Sequence, residues 1–239
     1  MRFTERTYRN KVLNHRLISY QVKVRETDLF ISSDRDFRQA ARQSVHLYRG
    51  YLESYINAHP DFLTSLIPLK IDDLAPDIVR DMMKVSQVAG VGPMAAVAGA
   101  LAEYVGQDLL KLTPNVIVEN GGDIFLKSKD EINIGIFAGD SSFSEKLALK
   151  IRPEEMPMGI CTSSATVGPS LSFGIADAVC VKSKSAAMAD AAATMIGNLV
   201  KTKKDIKKAI SYGSQIKDVI GILIIVENEM GLWGEMELL

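Results

Sequence analysis

The residues whose types and spacing could do chemistry fall in segments made largely of small side chains. The first is Gly90-Val91-Gly92-Pro93-Met94-Ala95-Ala96. Its glycines let the backbone turn tightly and approach a ligand, and Pro93 suits a helix start. Unbonded N–H groups there, with the helix dipole behind them, favour an anion such as phosphate. Gly90, Gly92 and Met94 are therefore candidate cofactor contacts. Close helix packing through Ala and Gly accounts for the same residues, and the pattern is neither a Walker A loop nor GxGxxG.

The second segment is Glu119-Asn120-Gly121-Gly122-Asp123. Asn-Gly is a strong hairpin signal, so a plain turn is the simpler explanation. Asn120, Gly121, Gly122 and Asp123 at a strand end also suit the hydroxyl and amide groups of a nucleotide. The third runs from Cys161 to Gly174 and is rich in Ser, Thr and Gly, too polar for a core element. Thr162, Ser163 and Ser164 could line a ligand with hydroxyls. A nucleophilic Ser163, Ser164 or Ser170 is the hydrolase alternative, but GxSxG is absent and the histidines His15, His46 and His59 all lie early in the chain.

The fourth segment is Ala189-Asp190-Ala191-Ala192-Ala193-Thr194. On a helix, positions i and i+4 share a face, so the Asp190 carboxylate and Thr194 hydroxyl can meet at one point. Hard oxygen ligands among small side chains suit Mg²⁺, which keeps waters and takes its remaining ligands from phosphate. The plain alternative has Thr194 bonding back to a helix carbonyl. Asp123 and Asp177 are the carboxylates available to join this pair or to serve as a base.

The elements that must position these groups read as a mixture. Ile18, Tyr20, Val22 and Val24 alternate as a half-buried strand, with a return at Leu29 to Ile31. A helix with apolar residues at Phe37, Ala41, Val45, Tyr48, Leu52 and Ile56 follows, expected to start at Ser33 or Asp34 and stop before Pro60. Pro76 opens a second helix through Val88, and the segment from Val91 to Gly106 forms a third. Strands are expected at VIVEN, IFLK, Ile132 to Ala138, Leu147 to Ile151, ADAVCV and Val219 to Val226, with GICTSS and a small-residue loop ahead of ADAVCV. The Ile132 strand is expected to pair with IFLK across Lys127 to Glu131. An Ala-rich helix from Ser185 to about Val200 and a lysine-rich helix complete the set, with a short tail. Hairpin-like neighbours mixed with helices predict an α+β fold with mixed or antiparallel sheets.

With 239 residues, the chain suits one domain over 1–239 or two intimately packed halves. A net charge of -1 gives no field for nucleic acid or anionic lipid. The lysine-dense run 201–208 reads as a solvated face. Cys161 and Cys180 form no CxxC pair, which argues against a disulfide scaffold or zinc ribbon. The polar N-terminal stretch has no apolar signal core, and glycines, a proline and Glu103 break the apolar run Val85 to Val105. A cytoplasmic protein away from membranes is the expectation. Trp233, Leu238 and Leu239 could pack on their own chain or on a second copy.

Taken in order, the segments resemble the ApbE-like superfamily, flavin transferases that move FMN from FAD onto a protein threonine. The likeness is closer to a small, shorter branch: ETDL at Glu26, RGYLESYI at Arg49, VGPMAAVAGALAEYVG at Val91, VENGGDIF at Val118, CTSSATVGPSLSFG at Cys161 and ADAAAT at Ala189. The resemblance implies a T-fold-related architecture. It implies FAD bordered by Asn120, Gly121, Gly122 and Asp123, hydroxyls from Thr162 and Ser163, Mg²⁺ on Asp190 and Thr194, and a protein acceptor. The transferases carry a His-x-x-Asp-Pro segment where this chain has Gly174-Ile175-Ala176-Asp177-Ala178, keeping the aspartate without the histidine. That departure leaves a non-transferring, cofactor-holding or accessory protein as the alternative, with a place in anaerobic sulfur assimilation and homocysteine formation as a further reading.

Overall fold

A computed structural model describes residues 17–139, 141–144, 146–164 and 173–239. An eight-stranded sheet in the order β1-β2-β3-β4-β7-β8-β9-β10 organises the chain. Its strands are β1 (Ile18–Val24), β2 (Thr27–Ser33), β3 (Val116–Asn120), β4 (Asp123–Lys127), β7 (Met158–Ser163), β8 (Ala178–Ser183), β9 (Val219–Val226) and β10 (Glu229–Gly234). Every neighbouring pair is antiparallel. Each half of the sheet is two hairpins with helices between them. The first half encloses α1 (Arg38–Ala58), α2 (Asp61–Thr64), α3 (Asp77–Ala89) and α4 (Val97–Leu110); the second encloses α5 (Ala186–Leu199) and α6 (Ile206–Gly213). This is the expected α+β architecture.

Period-two alternation divides the side chains between two layers. Val116, Val118 and Phe125 point to the helices, as do Val179, Val181, Ile222 and Ile224. Ile117, Ile124, Leu126, Ile160, Cys180, Leu223 and Ile225 point the other way. There they meet a three-stranded sheet of β5 (Ile132–Gly135), β6 (Ala148–Ile151) and β11 (Glu237–Leu238), in the order β11-β6-β5. Both faces of β9 are thus covered, and its residues are apolar throughout.

Three sequence expectations need correction. The helix expected from Ser33 or Asp34 begins at Arg38. Ser33 stays in β2, with its Oγ 3.0 Å from the Tyr20 hydroxyl, and the Asp34 carboxylate is held by Thr113 and Asn115. The Ile132 strand does not pair with IFLK, because β3 and β7 occupy both edges of β4 and leave β5 to pair with β6. The short tail is two strands, β10 closing on β9 and β11 on β6.

Among the described residues, no single helix is long and apolar enough to cross a membrane. The bent pair of α3 with residues 93–110 turns through 102°, and its buried side chains face the helix layer and the sheet.

Candidate functional site

Two helices meet near their starts, and this meeting builds the site. Ala186, the first residue of α5, sits so close to β7 and α4 that a Cβ on Gly159 would lie 2.2 Å from its backbone. A Cβ on Gly99 would lie 2.2 Å from the Ala186 carbonyl oxygen. Glycine at both positions permits the approach. The helices then exchange carboxylates. Glu103 of α4 accepts the Ala186 and Ala187 N–H groups at 2.8 and 3.2 Å and the Ser185 hydroxyl at 2.7 Å. Asp190 of α5 accepts the Gly99 N–H at 3.0 Å. Each carboxylate satisfies N–H groups that a helix start leaves without an internal partner and complements the positive end of the dipole.

Asp190 thereby stands over the edge where β4 faces β7. Asp123 and Cys161 are direct cross-strand partners, and alternation turns both toward the helices. One ligand atom from each of Asp123, Cys161 and Asp190 lies within 4.8 Å of the others. Asp123 is only 8% exposed, and its Oδ1 meets no hydrogen-bond donor among the described residues. Burial pushes the Asp123 carboxyl up to about 7, with the Glu119 charge adding to the effect and the Cys161 thiol opposing it. Burial and then the Asp123 charge push Asp190 well above the usual carboxylate range, against the pull of the Gly99 and Ala98 N–H groups. The Cys161 thiol is pushed up as well, chiefly by burial and then by the two aspartates.

The turn beside Asp123 is also built for a purpose. Gly122 has φ +113°, a conformation that side chains rarely adopt, and it places the Gly122 carbonyl 3.0 Å from the Thr162 N–H. The Gly122 N–H donates to Glu119 Oε1 at 3.0 Å. Asn120 shares the helix-facing side and donates to the Ala98 carbonyl at 3.0 Å, tying β3 to the start of α4. Gly121 is exposed beside it.

The remaining candidates divide. Ser163 shares the Cys161 face of β7, while Thr162 points to the opposite face and bonds the Cys180 thiol. Ser164 follows the strand, half-buried, and Ser170 lies outside the described residues. Thr194 stands one turn beyond Asp190 on α5 and is half-buried. Gly90 is the left-handed C-cap of α3, Gly92 packs against the Ser65 carbonyl, and Met94 joins the interhelical apolar cluster. Asp177 accepts the Glu227 N–H at 2.5 Å at the β9–β10 turn. Of the histidines, His46 lies in α1 and His59 caps it, stacked on Tyr55 with ring centroids 4.3 Å apart.

Sequence reasoning missed Cys161 as a member of the cluster and Glu103 as the cap of α5. The period-two spacing of Cys161 and Ser163 was the available signal for the first. The second depends on a pairing across 83 residues and left no local mark.

Known proteins agree with the fold. The chain is 40% identical over 222 residues to UPF0280 protein MJ1526 of Methanocaldococcus jannaschii, covering 90% of each chain. It is 37% identical over 222 residues to a UPF0280 protein of Methanosarcina acetivorans, covering 92% of this chain and 87% of the relative. Among solved structures, the flavinyl transferase ApbE of Pseudomonas stutzeri superposes with a TM-score of 0.61 at 14% identity, over 92% of this chain and 94% of that one. The flavin transferase ApbE of Vibrio cholerae gives 0.58 at 11% identity, over 91% and 96%. The chain thus shares the fold of the ApbE flavin transferases. With residues 9–230 matched by the family model AbpE_bact, described as "AbpE bacteria", it belongs to that family.

Proposed function

We propose that the Asp123–Asp190 edge binds FAD through its pyrophosphate with a divalent cation, in one ApbE-like domain of two like halves packed across α4 and α5. The carrying observation is the buried Oδ1 of Asp123 beside Asp190, which meets no donor among the described residues. A buried acceptor without a donor costs on the order of 1–3 kcal/mol, a cost that a cation or a proton at that position removes. The donor set fits Mg²⁺: Asp190 with Thr194 on one helix face supplies hard oxygens, leaving positions for water and phosphate. When bound, the cation neutralises pyrophosphate charge and stabilises the leaving group. Asn120, Gly121, Gly122, Ser163 and Ser164 border the same edge as candidate flavin contacts, with Gly90, Gly92, Met94 and Thr162 further out.

For transfer, an acceptor hydroxyl oxygen attacks the FMN phosphorus, the bond to the AMP oxygen breaks, and AMP leaves. Asp123, with its carboxyl raised to about 7 in the cation-free chain, matches a base working near neutral pH and takes the hydroxyl proton when the cation sits on Asp190 and Thr194 rather than on Asp123. Asp177, occupied by the Glu227 N–H, is the less suited base.

One observation favours a second reading, in which the protein holds flavin without transferring it. Among the described residues, the single cluster of His, Cys, Asp and Glu side chains contains no histidine. An accessory role in sulfur assimilation belongs to this reading, as does a cytoplasmic setting.

Calorimetric titration of the purified chain with FAD, with and without Mg²⁺, tests the common core. Cation-dependent FAD binding is expected, and no binding under either condition would overturn both readings. Incubation with FAD and a threonine-bearing acceptor protein separates them: covalent flavin on the acceptor supports transfer, and its absence despite FAD binding supports holding.

A further inference from the structure

We propose that Asp123, Cys161 and Asp190 together ligate a thiophilic divalent cation of the Fe²⁺ or Zn²⁺ class. The inference rests on the reading of Asp190 as a cation ligand and adds a protein thiolate to it. The geometry carries the argument. Three potential ligand atoms, one from each residue, lie within 4.8 Å of one another. Metal–ligand bonds of about 2.0–2.3 Å place neighbouring ligands of a tetrahedral ion somewhat closer than this, so small side-chain rotations close the site.

The environment agrees. Asp123 is 8% exposed and Cys161 is 3% exposed, so the strand-borne ligands sit in the core. The Asp123 Oδ1 lacks a donor among the described residues, while the Gly99 N–H fixes the direction of the Asp190 carboxylate. Asp190 is half-buried and marks the side by which an ion would enter. On coordination the sulfur–hydrogen bond gives way to a sulfur–metal bond, and the released proton passes to solvent. A thiolate ligand favours a softer ion at Asp190, in competition with the Mg²⁺ that Asp190 and Thr194 oxygens alone would hold, since Mg²⁺ prefers an octahedron of oxygens. Three protein ligands also leave an open position for water or phosphate, as catalytic zinc sites do.

The test is a titration of the full chain, freed of metal by a chelator, with Cd²⁺ and with Co²⁺. Thiolate-to-metal charge-transfer absorption in the ultraviolet is the readout. The natural chain is expected to develop the band at one equivalent. Cys180→Ala should retain it, because Cys180 lies on the opposite face of the sheet. Cys161→Ser should lose the band and weaken Cd²⁺ binding about tenfold or more, with Mg²⁺ affinity changed far less. Should Cys161→Ser fail to fold by circular dichroism, Asp123→Asn serves instead and must weaken Cd²⁺ binding by a similar factor. No band in the natural chain, or a band that survives Cys161→Ser, would overturn the proposal. The readout needs no flavin: a band without FAD binding keeps this site and removes the flavin reading, and FAD binding with Mg²⁺ but no band does the reverse.

Discussion

The two faces of the large sheet each bury charged chemistry, and they do so in opposite ways. On the face toward the small sheet, Lys182 of β8 is 1% exposed, ion-paired with Glu155 and donating to the Glu235 carbonyl at 2.9 Å. Burial of Glu155 alone would raise its carboxyl, but the Lys182 ammonium and the Arg152 N–H outweigh it and hold the group below its usual value. On the helix face, Asp123 and Asp190 are like groups brought together, with one buried oxygen that meets no donor among the described residues. The first arrangement is complete by itself and ties β8 to the turn before β7. The second is incomplete, and incompleteness in a buried polar cluster points to something it was built to receive.

The largest expected effect attacks the close packing behind the helix-face site. Gly159→Ala puts a methyl 2.2 Å from the Ala186 backbone and should destabilise the chain by about 3 kcal/mol, read as a lowered denaturant midpoint. Lifting α5 off β7 also separates Asp190 from Cys161, so cation binding should weaken together with stability.

Next in size is Lys182→Ala, which leaves Glu155 without its partner. Removing one member of a buried pair costs about 3–5 kcal/mol, reduced here to about 2 kcal/mol because Glu155 keeps some contact with water. The pH dependence follows from the depressed Glu155 carboxyl. Its contribution is full above the unfolded value of about 4.3 and is lost as pH falls through the lower folded value. The stability gap between the natural chain and Lys182→Ala should therefore narrow in acid.

The smallest effect carries the opposite sign. Asp123→Asn removes a carboxylate that the core resists, and should leave stability unchanged or raise it by up to about 1 kcal/mol. The raised Asp123 carboxyl stabilises the fold below an unfolded value of about 3.9, and that contribution disappears as pH rises to about 7. The Asp123→Asn variant should thus gain on the natural chain with increasing pH across that window, in thermal melts of metal-free protein. A destabilisation as large as that of Lys182→Ala would erase the contrast between the two faces.

Local pattern made most of the fold legible. Alternation in Ile18 to Val24 and the apolar run Val219 to Val226 located their strands, and Pro60 and Pro76 bounded helices where expected. The β5 partner was misread because alternation reports which face a residue takes, not which strand edge is still open. The tail was undervalued because glycines and a glutamate break up the apolar residues of Glu229–Gly234, as an exposed edge strand can allow. The placing of Asp190 one turn before Thr194 on one helix was legible because helical spacing is local. Cys161 was not, since its neighbours arrive through strand pairing with Asp123 and a helix contact to Asp190. Glu103 and Asp190 exchange caps between two touching helices far apart in the chain, a relation that no sequence window contains.

The central claim is that the Asp123–Asp190 edge holds a cation that recruits flavin pyrophosphate. FAD affinity measured with and without divalent cation, on the natural chain and on Asp190→Ala, tests it most directly. A cation-dependent gain of about tenfold or more in the natural chain, abolished in a folded Asp190→Ala, is the expected result. Equal FAD affinity in the two proteins, with or without cation, would contradict it.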